Sequence, residues 1–277
     1  MSNLVSRLLT AVLLIPVLVT AINWSNPIGV WLVAFVATVL GLREWVRMTL
    51  PERPYERGFC LLVGTVLAAA FYWWGERPMV FPTLAAGGVI ATFLFFLFRY
   101  GTIETVAARM CFAAAGYFYV GLITYLALLK KLPDGTGWVY VALTVGWLSD
   151  TGAYFAGRFI GPLWPRKLYE TVSPKKTVVG AFGGLVASVG ALVLAKLLYL
   201  PRLDWVDCVA LAVPANILGQ CGDLAESLFK RSLGVKDSGA LLPGHGGMLD
   251  RVDAVVFVMP YVYAYARWVL GLGPGMS

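Results

Sequence analysis

Nine stretches of this chain run apolar for most or all of a bilayer's thickness, and that pattern restricts the fold more than any other feature. They are 8–22, 28–42, 59–74, 79–98, 111–129, 138–160, 180–200, 206–229 and 252–272. A spanning helix needs about 20 predominantly apolar residues, with a range of roughly 17–25. The second and third stretches are short, and tilt, local bilayer thinning or an interfacial position would accommodate them. Composition agrees: 59% of the residues are hydrophobic and 13% charged, against about 25% charged in a soluble domain. Too few polar residues remain to cover a water-facing surface, so lipid must supply the missing apolar solvent. The expected fold is all-α, a polytopic integral membrane protein with about nine transmembrane helices. Arg7 ahead of an apolar run and the Val19-Thr20-Ala21 triplet resemble a cleavable signal, but an uncleaved first helix serves equally well and is preferred.

Charge sets the expected orientation. With alternate loops on opposite sides, 16 of the 22 Lys and Arg residues fall on one side and 6 on the other. Basic loops stay cytoplasmic, which places the amino terminus inside and the carboxyl terminus outside. The two long polar loops, 161–179 and 230–251, then face the cytoplasm, where nucleotides are found. The net charge of +7 reads as this loop bias and an attraction to anionic head groups, not as a nucleic-acid surface. Cys60, Cys111, Cys208 and Cys221 are scattered through apolar stretches without a C-x-x-C pair, and read as small core residues. The single histidine, His245, argues against a histidine-rich metal centre. The division expected is functional: 1–137 forms a nearly featureless scaffold of spans, and 138–277 is a catalytic region carrying the unusual polar residues.

Those residues begin at Asp150. Asp150, Asp223 and Glu226 lie inside otherwise apolar stretches, where a carboxylate costs about 2.5–3.5 kcal/mol at the bilayer centre. Each could simply end a helix near the interface and pair with a cation such as Arg158 or Lys230. Asp223, Glu226, Ser227 and Lys230 stand at i, i+3, i+4 and i+7, which puts them on one face of a helix. Asp250 and Asp253 are likewise three apart. Two such acidic faces suit a hard divalent cation, since Mg2+ takes oxygen ligands from one or two carboxylates and from substrate phosphates. The stretch between them reads Lys236-Asp237-Ser238-Gly239, then Pro243-Gly244-His245-Gly246-Gly247, and its glycines let backbone amides approach an anion closely. The other loop carries Ser173-Pro174-Lys175-Lys176-Thr177. Its hydroxyls and ammonium groups suit a phosphate chain, and a plain positive-inside anchor explains it equally well.

The run from Ser227-Leu-Phe-Lys230-Arg231 through Lys236-Asp237-Ser-Gly to Pro243-Gly-His245-Gly-Gly-Met-Leu-Asp250-Arg251-Val-Asp253 resembles the signature of the phosphatidate cytidylyltransferases, also called CDP-diacylglycerol synthases. Asp150, the 173–177 segment and Gly222-Asp223-Leu-Ala-Glu226-Ser227 resemble that family too. One departure is Val179, where many relatives carry an acidic or amide residue. The resemblance implies the reaction CTP + phosphatidate → CDP-diacylglycerol + pyrophosphate, in phospholipid biosynthesis. It implies Asp223 and Asp250 as ligands of Mg2+, with a second cation left open, and Asp253 as a supporting carboxylate. Lys230 joins these in the catalytic group. The substrate-binding group comprises Asp150, Ser173, Lys175, Lys176, Thr177, Glu226, Ser227, Arg231, Lys236, Asp237, His245, Gly246, Gly247 and Arg251. The expected partners are CTP, phosphatidate and membrane lipid, without nucleic acid, and a homodimer is left open. The expected location is a bacterial-type inner membrane. Two rivals stand beside this reading: a related CTP-dependent kinase or transferase acting on a lipid alcohol, and an ion-coupled transporter, since intramembrane carboxylates also mark ion paths. A CDP-alcohol phosphotransferase is disfavoured because no D-G-x-x-A-R arrangement is present.

Overall fold

The computed structural model describes residues 3–75, 77, 79–241 and 246–273, with the backbone alone for 3–11. The chain is nearly all helical, and its contacts divide it into two units. The first comprises Met1–Ala127 with Asp237–Arg251, and the second Leu128–Lys236 with Val252–Ser277.

The first unit contains α1 (Asn3–Asn23), α2 (Ile28–Thr49), α3 (Pro54–Trp74), α4 (Val80–Phe98) and α5 (Ile103–Gly121). A 3₁₀ turn leads from α5 into α6 (Tyr125–Lys131). Both short apolar stretches belong to longer helices than hydropathy suggests. Beyond residue 42, α2 continues because Arg43 and Arg47 stay exposed while Glu44, Trp45 and Val46 turn inward. The Trp45 indole N–H donates to the Phe112 carbonyl at 2.8 Å. Similarly, α3 starts five residues early, with Pro54 in its first turn, where a proline loses no helical hydrogen bond. Its first turn buries Glu56 against Arg109 of α5. Arg109 also donates to the carbonyls of Tyr100 and Thr102. The amino-terminal spans are therefore not featureless. They carry buried charges that are compensated within the unit, as lipid-embedded helices require.

The second unit contains α7 (Gly135–Phe159), a two-stranded antiparallel hairpin of β1 (Lys167–Tyr169) and β2 (Ser173–Thr177), α8 (Val178–Leu198) and α9 (Trp205–Ser232). The body of α10 (Leu249–Ala264) follows, with a π-helical turn over Tyr265–Val269. The expected loop 161–179 is thus largely a hairpin. Thr177 ends β2 and caps α8, its hydroxyl accepting from Gly180 N at 3.0 Å, so strand and helix join without a linker. α7 and α8 run close together because small residues face each other. A Cβ on Gly152 would come within 2.6 Å of the Gly183 carbonyl, a spacing that only glycine permits. At the other end of α9, Asp204 and Asp207 form a capping box.

Among the described residues, six helices are long and apolar enough to cross a membrane: Ile28–Thr49, Pro54–Trp74, Val80–Phe98, Ile103–Lys131, Val178–Leu198 and Trp205–Ser232. Six of the nine expected stretches meet that measure. The other three stretches fall on α1, whose first side chains lie outside the described residues; on α7, diluted by Asp150, Arg158 and several glycines; and on α10, only 16 residues long and opening with Asp250, Arg251 and Asp253.

Candidate active site

In the second unit, α7, β2, α8 and α9 enclose a cavity of about 420 Å³. Its walls include Asp150, Tyr154 and Arg158 from α7, Lys175, Lys176 and Thr177 from β2, and Gln220 and Asp223 from α9. Five of the sequence-predicted residues, Asp150, Lys175, Lys176, Thr177 and Asp223, therefore meet at one place, although the hairpin and α8 lie between Asp150 and Asp223 in the chain. Lys176 forms an ion pair with Asp223. The two side chains remain 26% and 21% exposed, so the pair faces the cavity and stays open to exchange with an incoming anion or cation. The Ser227 hydroxyl donates to the other Asp223 oxygen at 3.3 Å, one helical turn on. Arg158 donates to the Tyr154 hydroxyl at 3.2 Å.

Below the cavity, the α9 stripe continues upstream of the expected residues. Asn216 donates to the hydroxyls of Ser149 and Ser188, at 2.7 and 3.2 Å. Gln220 donates to Asn216 at 2.7 Å and to the Ala181 carbonyl at 3.1 Å. These amides tie α9 to α7 and α8 and hold the face on which Asp223 sits. The sequence carried a signal for both: they precede Asp223 by seven and three residues, on the same helical face.

Further along α9, Glu226 and Lys230 pair at 3.0 Å with side chains only 2% and 8% exposed. Arg231 donates to the Val235 carbonyl, and Lys236 is exposed. On α10, the Asp253 carboxylate is half-buried and feels the like charges of Asp223, Glu226 and Asp150. A Cβ on Gly222 would stand 2.7 Å from the Asp253 carbonyl, so glycine there allows the two acidic helix faces to approach. Ser173 pairs in register with Tyr169 in the hairpin and does not line the cavity.

The remaining predicted residues belong to the first unit. Asp237 and Arg251 are exposed. Asp250 accepts hydrogen bonds from Ser238 N at 3.0 Å, the Ser238 hydroxyl at 3.0 Å and Gly247 N at 2.8 Å. Gly246 has φ +78 and leaves room for Asp250, whose Oδ2 would lie 2.8 Å from an added Cβ. The glycines of this segment seat a carboxylate of the protein itself. His245 lies outside the described residues.

Among the described residues, no three Asp, Glu, His or Cys side chains stand close enough to hold a metal by themselves. Mg2+ is usually held by one or two carboxylates, with substrate phosphates and water filling the other positions. A cavity-wall carboxylate such as Asp223, with further acidic groups near it and ammonium groups for the phosphates, fits that partial ligand set.

The profile of the cytidylyltransferase family matches residues 5–269. The chain is also similar to the phosphatidate cytidylyltransferase of Staphylococcus haemolyticus (strain JCSC1435), 40% identical over 153 residues, covering 55% of this chain and 56% of that one. Against the phosphatidate cytidylyltransferase of Bacillus subtilis (strain 168) the identity is 40% over 157 residues, with the same coverage. Against that of Staphylococcus aureus (strain COL) it is 39% over 155 residues, again covering 55% and 56%. The matched stretch thus spans about half the length of these relatives.

Proposed function

Because this chain belongs to the cytidylyltransferase family, we propose that it is a multi-pass membrane nucleotidyltransferase that converts CTP and phosphatidate to CDP-diacylglycerol and pyrophosphate. The observation that carries the proposal is the cavity in which Lys175, Lys176 and Arg158 face Asp150 and Asp223. It brings cations for phosphate together with carboxylates for a hard metal ion. A phosphate oxygen of phosphatidate attacks the α-phosphorus of CTP, a new P–O bond forms, and the bond to the β-phosphate oxygen breaks to release pyrophosphate. The nucleophile is already anionic, so no general base is required. The protein's task is to bring two polyanions together and to offset charge on the leaving group. In this reading Lys176 exchanges Asp223 for a phosphate oxygen, and Lys175 and Arg158 serve the same phosphates. The Asn216–Gln220 network holds α9 in place while that exchange occurs. Asp223 and Asp250 are each proposed, within their own units, as a carboxylate for Mg2+, which when bound would neutralise phosphates and polarise the leaving group. Lys230, paired with Glu226, steadies the α9 stripe and supplies charge near it.

The same reading takes nine spans, with the amino terminus and the polar loops cytoplasmic and the carboxyl terminus outside. One experiment tests reaction and orientation together. Sealed vesicles of either orientation, containing the protein and phosphatidate, receive CTP labelled at the α- or the γ-phosphate from outside, with Mg2+. The expected result is α-label in lipid from inside-out vesicles only. Label entering from the γ-phosphate would instead indicate a lipid kinase. Label entering only in right-side-out vesicles would overturn the orientation.

A further inference from the structure

Glu44 is an acid in the second turn from the end of the apolar helix α2, and it is 6% exposed. Its neighbours Arg43 and Arg47 are exposed, so the carboxylate turns away from the nearest cations on its own helix. It accepts instead from the chain some 200 residues on: Met248 N at 2.8 Å, Leu249 N at 3.0 Å and the Ser238 hydroxyl at 2.9 Å. Met248 and Leu249 open α10, where backbone N–H groups have no helical acceptor, and a carboxylate at that end is favoured by the helix dipole as well. The fit is close. A Cβ on Gly239 would stand 2.9 Å from Glu44 Oε1, and one on Gly247 2.5 Å from Glu44 Oε2 and 2.1 Å from the Ser238 oxygen. The same Ser238 hydroxyl lies 3.0 Å from Asp250 Oδ2. Glu44 and Asp250 therefore share one hydroxyl, and the two carboxylates occupy every amide named here at the start of α10.

We propose that Glu44 is a positioning residue for the signature segment: it fixes Ser238 and the amino end of α10, and through them the orientation of the Asp250 carboxylate. Glu44 itself touches no substrate. The catalytic half of this inference rests on the cytidylyltransferase reading above, and the structural half does not. Gln is isosteric with Glu but offers one acceptor oxygen in place of two, so it cannot receive all three donors. Gly247→Ala attacks the same seat from the opposite side without altering Glu44.

The test uses the full chain in detergent or nanodiscs, with hydrogen exchange read by mass spectrometry beside steady-state kinetics. In Glu44→Gln and in Gly247→Ala, amide exchange over 246–250 should rise by about tenfold or more, the loss expected for one charge-assisted bond, while α2 and α3 keep their protection. The kcat for cytidylyl transfer should fall by about tenfold or more, with KM for CTP changed less than about threefold, because the defect lies in aim and not in CTP affinity. Unchanged exchange in both variants overturns the proposal. So does exchange that rises throughout α2 and α3, which would mark Glu44 as a general stabiliser, and so does local exchange with full kcat. If Glu44→Gln does not fold, Gly247→Ala decides by the same outcomes. A wild-type protein with no cytidylyl transfer would defeat the reading under Proposed function, and the exchange measurement would still decide whether Glu44 holds the segment.

Discussion

The first unit and the cavity of the second hold charge for opposite purposes. In the first, Glu56 and Arg109 face each other with side chains 8% and 7% exposed, and the guanidinium also donates to the carbonyls of Tyr100 and Thr102 and to the Thr105 hydroxyl. Glu44 is likewise saturated by donors from its own unit. In the second, Lys176 and Asp223 meet at the edge of a cavity and keep about a quarter of their surface. A fully enclosed pair is a structural fastening, since removing one member strands the other in a medium that cannot solvate it. A half-open pair is a poor fastening and a good receiving site, because a phosphate or a cation can take one partner's place at small cost. The location of a charge in an apolar chain is therefore less informative than its remaining access to solvent.

Arg109→Ala is the strongest way to break this contrast. It leaves Glu56 buried without its cation, and should cost about 3–5 kcal/mol of stability. Thermal unfolding monitored by intrinsic fluorescence would show it, and activity per folded molecule at low temperature should be retained. A variant as stable as the wild type would show that the Glu56 pair is not a fastening.

Asp223→Asn should act on the opposite quantity. The change keeps volume and removes charge, so stability should hold while turnover falls by about 10²–10³-fold, the range for removing one preorganised electrostatic group. A fall in stability with normal turnover per folded molecule would move Asp223 into the class of Glu56.

The lysines sharpen the comparison inside the second unit. Lys176→Ala should lower kcat/KM by roughly 10- to 150-fold, equal to about 1.5–3 kcal/mol for a hydrogen bond to a charged group. Lys176→Arg should not restore it, because the planar guanidinium has a different reach. At the enclosed Lys230, Lys→Ala should show up first as lost stability, through stranded Glu226. Kinetic constants within about twofold of wild type in both Lys176 variants would reduce that residue to a topology anchor.

Much of the second unit was readable from spacing. The i, i+4 pairs Asp223–Ser227 and Glu226–Lys230 are contacts in the structure, at 3.3 and 3.0 Å, because 3.6 residues per turn is a local rule that needs no partner. Asn216 and Gln220 obey the same rule and were readable by extending the stripe. The hairpin at 167–177 was less so: its short strands carry Lys, Ser and Pro instead of an alternating apolar pattern, so polarity reads as loop.

Local period and composition by themselves determined the helices, the apolar solvent they need and the acidic face of α9, since those follow from forces acting within a few turns. Tertiary structure alone decided which charges are sealed and which face a cavity, and what the glycines of the signature segment are for. Glu44 and Ser238 lie 194 residues apart, and no periodicity links them. In the sequence, Glu44 stands at the charged end of an apolar stretch, between Arg43 and Trp45. Its three hydrogen bonds exist because α2 buries that one face against the start of α10, where free amides need an acceptor.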